Sequence, residues 1–347
     1  VPAGRMQDKI GPRVVATIGG LLVGLGMILS GFGNTVALYV VGFGLLVGAG
    51  LGFGYASATP PAVKWFPPAK TGLIAGLVVS GFGLASVYTA PLCKWLSADY
   101  GLKTMMIVLG VSFFVIVGLL AQLLTPPPKG YVAPGTPPPK PADANGKVKK
   151  EDFTPAEMLK TGQFYLLWFM YACGAGAGLM IISCCKKIVS GAGVGVIAVM
   201  ALAVGNGAGR VVAGMLSDKL GRKVTLFLFL LLQAVVILAL SIASAKTQPS
   251  AIVLVTLAAL VGANYGSNLS LFPSITKDFF GLKNFGMNYG LVFTAWGFGG
   301  FILAQLAGKV YDKTQTYTFA FYCSIAVLIL AGIMTFLIKA PHHSIEA

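Results

Sequence analysis

One motif occurs twice in this sequence, first as Gly4-Arg-Met-Gln-Asp8-Lys-Ile-Gly11-Pro-Arg13 and, 210 residues later, as Gly214-Met-Leu-Ser-Asp218-Lys-Leu-Gly221-Arg-Lys223. Both copies contain Gly-x-x-x-Asp, then a lysine, and then a glycine three residues after the aspartate. A pattern that recurs at one fixed shift indicates a duplicated structural unit. We therefore expect two homologous halves that carry this motif at equivalent places.

The similarity between the halves continues downstream of the motif, with shifts of 213 to 216 residues. Small loop insertions would cause such a drift. The matching segments are Pro60-Pro-Ala-Val-Lys64-Trp-Phe66 with Pro273-Ser-Ile-Thr-Lys277-Asp-Phe279, Gly72-x-x-x-Gly76 with Gly286-x-x-x-Gly290, and Gly81-Phe-Gly83 with Gly297-Phe-Gly299.

The composition is that of a membrane protein with many spans. Of the 347 residues, 56% are hydrophobic and 10% are charged, and the mean hydropathy is +0.83, which is too apolar for a soluble globular chain. Stretches near the ~20 residues that cross a bilayer recur ten times. They lie at about 14–33, 36–59, 71–97, 104–124, 162–185, 191–216, 224–245, 250–274, 284–308 and 317–338.

The distribution of basic residues predicts the topology. The net charge is +15, yet the lysines and arginines alternate between rich and poor loops, which indicates membrane orientation and not nucleic-acid binding. The richer side holds both copies of the motif and is predicted to be cytoplasmic. The opposite side carries seven lysines, at positions 94, 103, 186, 187, 246, 309 and 313.

The two halves differ in the number of spans before the motif. Spans 162–185 and 191–216 precede the second copy, whereas no span precedes the first. Parallel repeats of this kind build transporters with six spans in each half. We therefore expect an all-α membrane protein with ten of twelve helices present and the first two missing.

The doubled motif resembles the loop signature of the major facilitator superfamily over the whole chain. The resemblance implies a first half at 1–124 (helices 3–6), a cytoplasmic linker at 125–161, a second half at 162–338 (helices 7–12) and a cytoplasmic tail at 339–347. Each aspartate can bind amide groups at a neighbouring helix start, and the glycines allow a tight turn. The resemblance implies a cytoplasmic gate at Asp8, Arg13, Asp218 and Arg222.

Arg210 is the one charged residue away from the ends of a predicted span, and no carboxylate is predicted within the membrane to pair with it. Asn206 lies one helical turn earlier, and Gly205, Gly207 and Gly209 are expected to leave an open surface around both side chains. A guanidinium beside an amide suits a carboxylate ligand. The alternative is that Arg210 extends to the cytoplasmic water.

Further candidates for substrate binding are aromatic residues in glycine-rich spans. Tyr55 follows a glycine-dense stretch, Tyr265 and Leu269 form one stripe on their helix, and Trp296 is flanked by glycine. Each of these side chains can instead serve packing alone.

A narrower resemblance is to the oxalate/formate antiporter and bacterial monocarboxylate (lactate) transporter group. It rests on Lys64-Trp-Phe-Pro, Gly72-Leu-x-Ala-Gly76, Glu157-Met-Leu-Lys-Thr-Gly-Gln-Phe-Tyr-Leu-Leu-Trp168, Leu271-Phe-Pro-Ser274 and Asn288-Tyr-Gly290. The resemblance implies that Arg210 takes the substrate carboxylate while Tyr55 and Tyr265 help to close the cavity. Oxalate-handling members are expected to place a second cation in helix eleven, where this chain has Thr294-Ala-Trp296.

One buried cation suits a monoanion, because a second negative charge would stay uncompensated. We therefore expect transport of lactate, pyruvate or formate with proton symport by a multi-pass protein of the bacterial inner membrane. Dicarboxylate:monocarboxylate exchange is the alternative. We expect a monomer without cofactor or metal, and no enzyme, because the sequence has no Ser-His, Cys-His or His-rich set.

Overall fold

Helices make up nearly all of the fold. The computed structural model describes residues 1–128, 130–136, 147–149, 152–341 and 344–346. The α-helices are α1 Pro2–Ile10, α2 Pro12–Gly31, α3 Val36–Tyr39, α4 Gly48–Trp65, α5 Thr71–Ala121, α6 Pro155–Met158, α7 Gly162–Ile188, α8 Gly195–Leu220, α9 Arg222–Ser244, α10 Ala251–Phe280, α11 Phe285–Thr314 and α12 Thr318–Leu337. A π-helical segment, Val40–Val47, joins α3 to α4, and short 3₁₀ turns lie at Pro68–Lys70 and Ser190–Ala192.

Nine helices in the described part of the chain are long and apolar enough to cross a membrane. The longest, Pro68–Ala121, has 54 residues and changes direction at Gly101, where φ is 78° and ψ is 165°. Gly101 therefore divides α5 into two spans, since only glycine adopts such angles readily. The prediction of ten membrane-length segments and of an all-α fold is confirmed.

The repeated motif is helical up to its last glycine. Residues 2–10 form α1, and the second copy continues α8 to Leu220, so helix and not loop carries most of each copy. Only Gly11 (φ 86°) and Gly221 (φ 89°) turn the chain. The residues before each turn retain helical hydrogen bonding because no side chain among them forces a break. We call the membrane face with these two turns the latch face, and the opposite face the far face.

The α8–α10 contact is the most extensive in the second half, and glycine makes it possible. A Cβ atom at Gly205 would collide with the carbonyl oxygen of Ala259, and one at Gly209 with that of Ala263. The two backbones thus touch directly, as small residues allow in membrane helices. The expectation of an open surface at Gly205 and Gly209 is wrong, because α10 occupies the space beside them.

The two halves meet along α5 and α8 from the latch face to mid-helix. Gly72 faces Gly214, Gly76 faces the backbone of Arg210, and Gly83 faces Gly207, each too closely for an added Cβ atom. On the same stretch of α5, Gly81 has nothing within 4 Å. This contact extends over roughly 16 Å of helix, so the halves are closed against each other on the latch face.

Both described ends of the predicted linker bind helix ends on the latch face. Trp65 Nε1 donates to the carbonyl oxygen of Thr125 (3.0 Å), and the Tyr131 hydroxyl donates to that of Trp65 (3.2 Å). At the other end, Asp152 accepts hydrogen bonds from the amides of Leu282 and Lys283, both 2.9 Å long. The linker thus follows the end of α5, packs beside the end of α4, and contacts the α10–α11 turn before α6 begins.

The described residues include two short strands besides the helices. Strand β1, Lys147–Lys149, pairs antiparallel with β2, Ser344–Glu346, so that Val148 lies opposite Ile345. Residues 129, 137–146, 150 and 151 of the predicted linker and residues 342, 343 and 347 of the predicted tail lie outside the described residues. The linker and tail boundaries remain predictions.

Candidate functional site

Arg210 is buried between the two halves. Its side chain is 3% exposed, its Nε donates to Asn206 Oδ1 (3.0 Å), and its Nη1 donates to the carbonyl oxygen of Val79 on α5. A guanidinium has five N–H donors, and no acceptor for the others and no carboxylate partner lies in the described chain. The side chain does not extend to water, and it retains free donors for an anion.

A chain of aromatic contacts connects the other predicted ligands. The rings of Tyr55 and Phe293 stack at 4.7 Å, those of Phe293 and Trp296 at 5.4 Å, and Trp296 Nε1 donates to the Tyr265 hydroxyl (2.8 Å). The Tyr55 hydroxyl donates to the backbone oxygen of Leu269 at 3.4 Å. Helices α4, α10 and α11 therefore bring four predicted residues together in one cluster.

Two members of this cluster, Tyr171 and Tyr289, are absent from the sequence-based candidates. Their hydroxyls lie 3.4 Å apart, and Tyr171 stacks on Phe272 at 4.1 Å. Arg210 lies within electrostatic range of Tyr55, Tyr171 and Tyr265. A tyrosine in a glycine-dense span was the criterion that selected Tyr55, and the same criterion finds Tyr171, which precedes Gly174, Gly176 and Gly178.

A cavity of about 260 Å³ adjoins the aromatic cluster. Its walls include Gly52, Tyr55, Pro60, Tyr289 and Phe293, together with residues 1–4 at the start of α1. Arg210 does not line this cavity. Tyr55 belongs both to the cavity wall and to the aromatic cluster. The cavity is lined by apolar and aromatic groups, which suits the non-polar part of a small organic ligand.

Asp218 joins the end of α8 to the start of α5 in the other half. Its carboxylate accepts hydrogen bonds from the amides of Gly72 (3.0 Å) and Leu73 (2.8 Å), the unpaired donors of a helix N-terminus. Arg222 donates to Asp218 at 2.6 Å and to Asp278 at 2.8 Å. We call Asp218 with its partners the second latch. The predicted contact between the motif aspartate and a helix start is present in the structure.

Asp8 makes the corresponding contact from α1 to α11, at longer distances than those of Asp218. It accepts from the amides of Gly286 (3.3 Å) and Met287 (3.0 Å), and Lys64 lies 3.9 Å away. Burial raises the pKa of the Asp8 carboxyl above its ordinary value, because the loss of water outweighs these partners. We call Asp8 with these partners the first latch.

The first latch has no counterpart of the guanidinium that supports the second. By the repeat, Pro12 takes the place of Arg222, and Trp65 takes the place of Asp278. Arg13, predicted as a gate residue, is exposed at the start of α2 and forms no ion pair with the described residues. The two latches are therefore chemically unequal.

This inequality predicts unequal effects of neutralising the two aspartates. We expect Asp218→Asn to weaken the closed latch face by about 1.5–3 kcal/mol, since a charge-assisted contact is lost, and Asp8→Asn by less than about 1 kcal/mol. Spin labels on Lys70 and Lys219, which are exposed in opposite halves, report the distance across this face. Equal populations of long distances in the two variants would contradict the asymmetry.

Comparisons with known proteins agree with this architecture. The family model described as Major Facilitator Superfamily matches residues 1–184 and again 167–347. The oxalate:formate antiporter of Oxalobacter formigenes is 30% identical over 313 residues, which cover 88% of this chain and 71% of that protein. The uncharacterized MFS-type transporter YhjX of Escherichia coli (strain K12) is 30% identical over 302 residues, covering 86% and 71%.

More distant similarities cover nearly the whole chain. Monocarboxylate transporter 13 of Bos taurus is 26% identical, covering 97% of this chain and 75% of that protein. A crystal structure of the Escherichia coli fucose:proton symporter, FucP, has a TM-score of 0.70 at 17% identity, covering 98% of this chain and 87% of its own. With the family model matched in both halves and relatives at 30% identity, the chain belongs to the major facilitator superfamily.

Proposed function

We propose that this protein transports small monocarboxylates, such as lactate, pyruvate or formate, across a bacterial inner membrane by alternating access. The observation that carries the proposal is Arg210, a buried cation without a carboxylate partner in the described chain, held at the contact between the halves. An ionised residue in this position is costly unless an anion compensates it. A substrate carboxylate supplies that charge, and the free guanidinium donors can bind both of its oxygens.

The surroundings of Arg210 favour one negative charge over two. At the place on α11 where a second cation would be expected, Thr294 accepts a hydrogen bond from Trp168 Nε1 (2.9 Å) and Trp296 binds Tyr265. Neither side chain is basic. An oxalate dianion would keep one charge uncompensated in a region of low dielectric constant, which costs several kcal/mol. A monocarboxylate with a short apolar part fits both the single cation and the apolar cavity wall.

Proton symport follows from the same charge balance. When a monoanion enters alone, it neutralises Arg210 but carries net charge across the membrane. A proton that moves with the anion makes the transported pair neutral. Among the described residues, the groups that bond Arg210 are the Asn206 amide and the Val79 carbonyl, and neither can carry the coupled proton. The substrate carboxylate must stay ionised to pair with Arg210, so we assign the proton to a group other than these.

Exchange of a dicarboxylate for a monocarboxylate is the second candidate. It is favoured by the similarity to the oxalate:formate antiporter of Oxalobacter formigenes. The two candidates differ in their driving force, because exchange needs a counter-substrate inside the vesicle and symport needs a proton gradient.

Uptake into proteoliposomes separates the candidates. Purified protein is reconstituted, labelled lactate is supplied with or without an inward proton gradient, and labelled oxalate is supplied with or without formate loaded inside. We expect the proton gradient to drive accumulation that a protonophore abolishes. Accumulation that needs internal formate and ignores the gradient would establish exchange. Failure of lactate, pyruvate, formate and oxalate to enter or exchange would overturn the carboxylate proposal.

A further inference from the structure

A second cavity opens at the far face, between α5 of the first half and the ends of α7 and α8 in the second. Its volume is about 220 Å³, and it is lined by Ala90, Lys94, Lys186, Gly195, Val196 and Val199. The lining holds two cations and no acid. The cavity is separate from the aromatic cluster, and no role follows for it from the proposed function alone.

The two lysines come from opposite halves. Lys94 lies on α5 and Lys186 in the last turn of α7, and neither forms an ion pair with any residue that the structure describes. The stem of Lys186 lies across the start of α8, where a Cβ atom at Gly195 would be 2.9 Å from its Cγ. Glycine at position 195 thus leaves room for this side chain beside the cavity.

The neighbouring lysine, Lys187, has a different environment. Its ammonium lies 4.3 Å from the centre of the Tyr311 ring, in a cation–π contact away from the cavity. Lys103 on the same face likewise lies over Phe32, at 4.5 Å. Lys94 and Lys186 therefore differ from Lys103 and Lys187, because their side chains line the cavity and do not lie on an aromatic ring.

The position of the cavity relates it to Arg210. Helices α5 and α8 run antiparallel, and they are joined at mid-height by the Arg210–Val79 hydrogen bond. Lys94 comes fifteen residues after Val79, and Gly195 comes fifteen residues before Arg210. Each interval corresponds to roughly 22 Å of helix, so the cavity lies at one level on both helices, about 22 Å from Arg210 toward the far face.

We propose that Lys94 and Lys186 form a capture site for small carboxylate anions at the far face, from which the anion passes to Arg210. A cleft lined by charges of one sign concentrates counter-ions and raises association rates by about 10 to 10³. The identity of the anion rests on the proposed function. The positive potential of the cleft does not, and it can be measured separately.

The kinetic test compares Lys94→Gln/Lys186→Gln with Lys103→Gln/Lys187→Gln, which removes the same number of charges from the same face but not from the cavity. At low ionic strength we expect Lys94→Gln/Lys186→Gln to lower kcat/KM for lactate about tenfold with kcat retained, and the difference to vanish at high salt because exposed charges are screened. The control variant should match the wild type. An equal loss in the control variant, or a loss that persists at high salt, would overturn the capture site.

The second test needs no transport. Ala90 is replaced by cysteine, and its modification by an anionic and by a cationic methanethiosulfonate reagent is followed at that position by peptide mass spectrometry. We expect the anionic reagent to react faster, and the preference to fall several-fold with Lys94→Gln/Lys186→Gln. An unchanged preference would refute the site. A preference that falls as expected, in a protein that moves no carboxylate, would retain the anion site and reject the proposed function.

Discussion

Replacing Arg210 by glutamine should reduce carboxylate uptake at least about 100-fold. The substitution removes the one buried cation among the described residues of the site, together with its paired donors, and each charge-assisted hydrogen bond contributes roughly 1.5–3 kcal/mol. Two such bonds correspond to a factor of about 100 or more, since 1.4 kcal/mol is tenfold. Initial rates of labelled lactate uptake, normalised to the amount of folded protein in the vesicles, measure the effect.

Two further variants test whether the charge and the shape of the Arg210 side chain cause the loss of uptake. Arg210→Lys keeps the charge but loses the planar fork, so we expect intermediate uptake with a raised KM. Lys219→Gln removes a cation from an exposed position on the same helix and should change uptake less than twofold. Retained uptake in Arg210→Gln would show that the guanidinium only ties α8 to Val79 on α5, as a structural contact between the halves.

Adding one methyl group at Gly76 should open the latch face. A Cβ atom there would collide with the carbonyl oxygen of Arg210, so α5 and α8 must separate. Overpacking of a tight contact costs about 1–3 kcal/mol, which would lower the ratio of closed to open molecules by about 5- to 160-fold. We expect Gly76→Ala to lengthen the Lys70–Lys219 spin-label distance and to slow transport at least about tenfold.

Gly81→Ala is the matched control, five residues further along α5. Nothing lies within 4 Å of its added methyl group, and alanine favours a helix over glycine by about 1 kcal/mol. This variant should be as stable as the wild type or more stable, with normal distances and transport. Similar behaviour of the two alanine variants would show that the α5–α8 contact does not control closure of the latch face.

The sequence alone determined the features that depend only on the order of residues along the chain. The length of apolar stretches is enough to predict ten spans, because a bilayer requires a set number of hydrophobic residues. The doubled motif predicted the duplication, and the single charge in a span identified Arg210 as unusual. The contact of each motif aspartate with a helix start also followed from local chemistry, although its partner helix did not.

The tertiary structure decided which surfaces face each other. Gly205 and Gly209 looked like an opening in the sequence, but they are covered by α10, since a bare backbone attracts close packing as readily as a ligand. Tyr171 joins the cluster only because α7 and α11 approach each other, which no local pattern encodes.

The same distinction applies to the charged residues. The repeat placed Pro12 opposite Arg222, but only the structure shows that Arg222 joins two aspartates, so that the latches differ. Lys94 and Lys186 are 92 residues apart in the chain, and they line the same cavity because the two halves pack against each other. Hydrophobic length and local helix chemistry act along the chain, whereas packing and charge pairing depend on distances in space, and only the folded arrangement sets those distances.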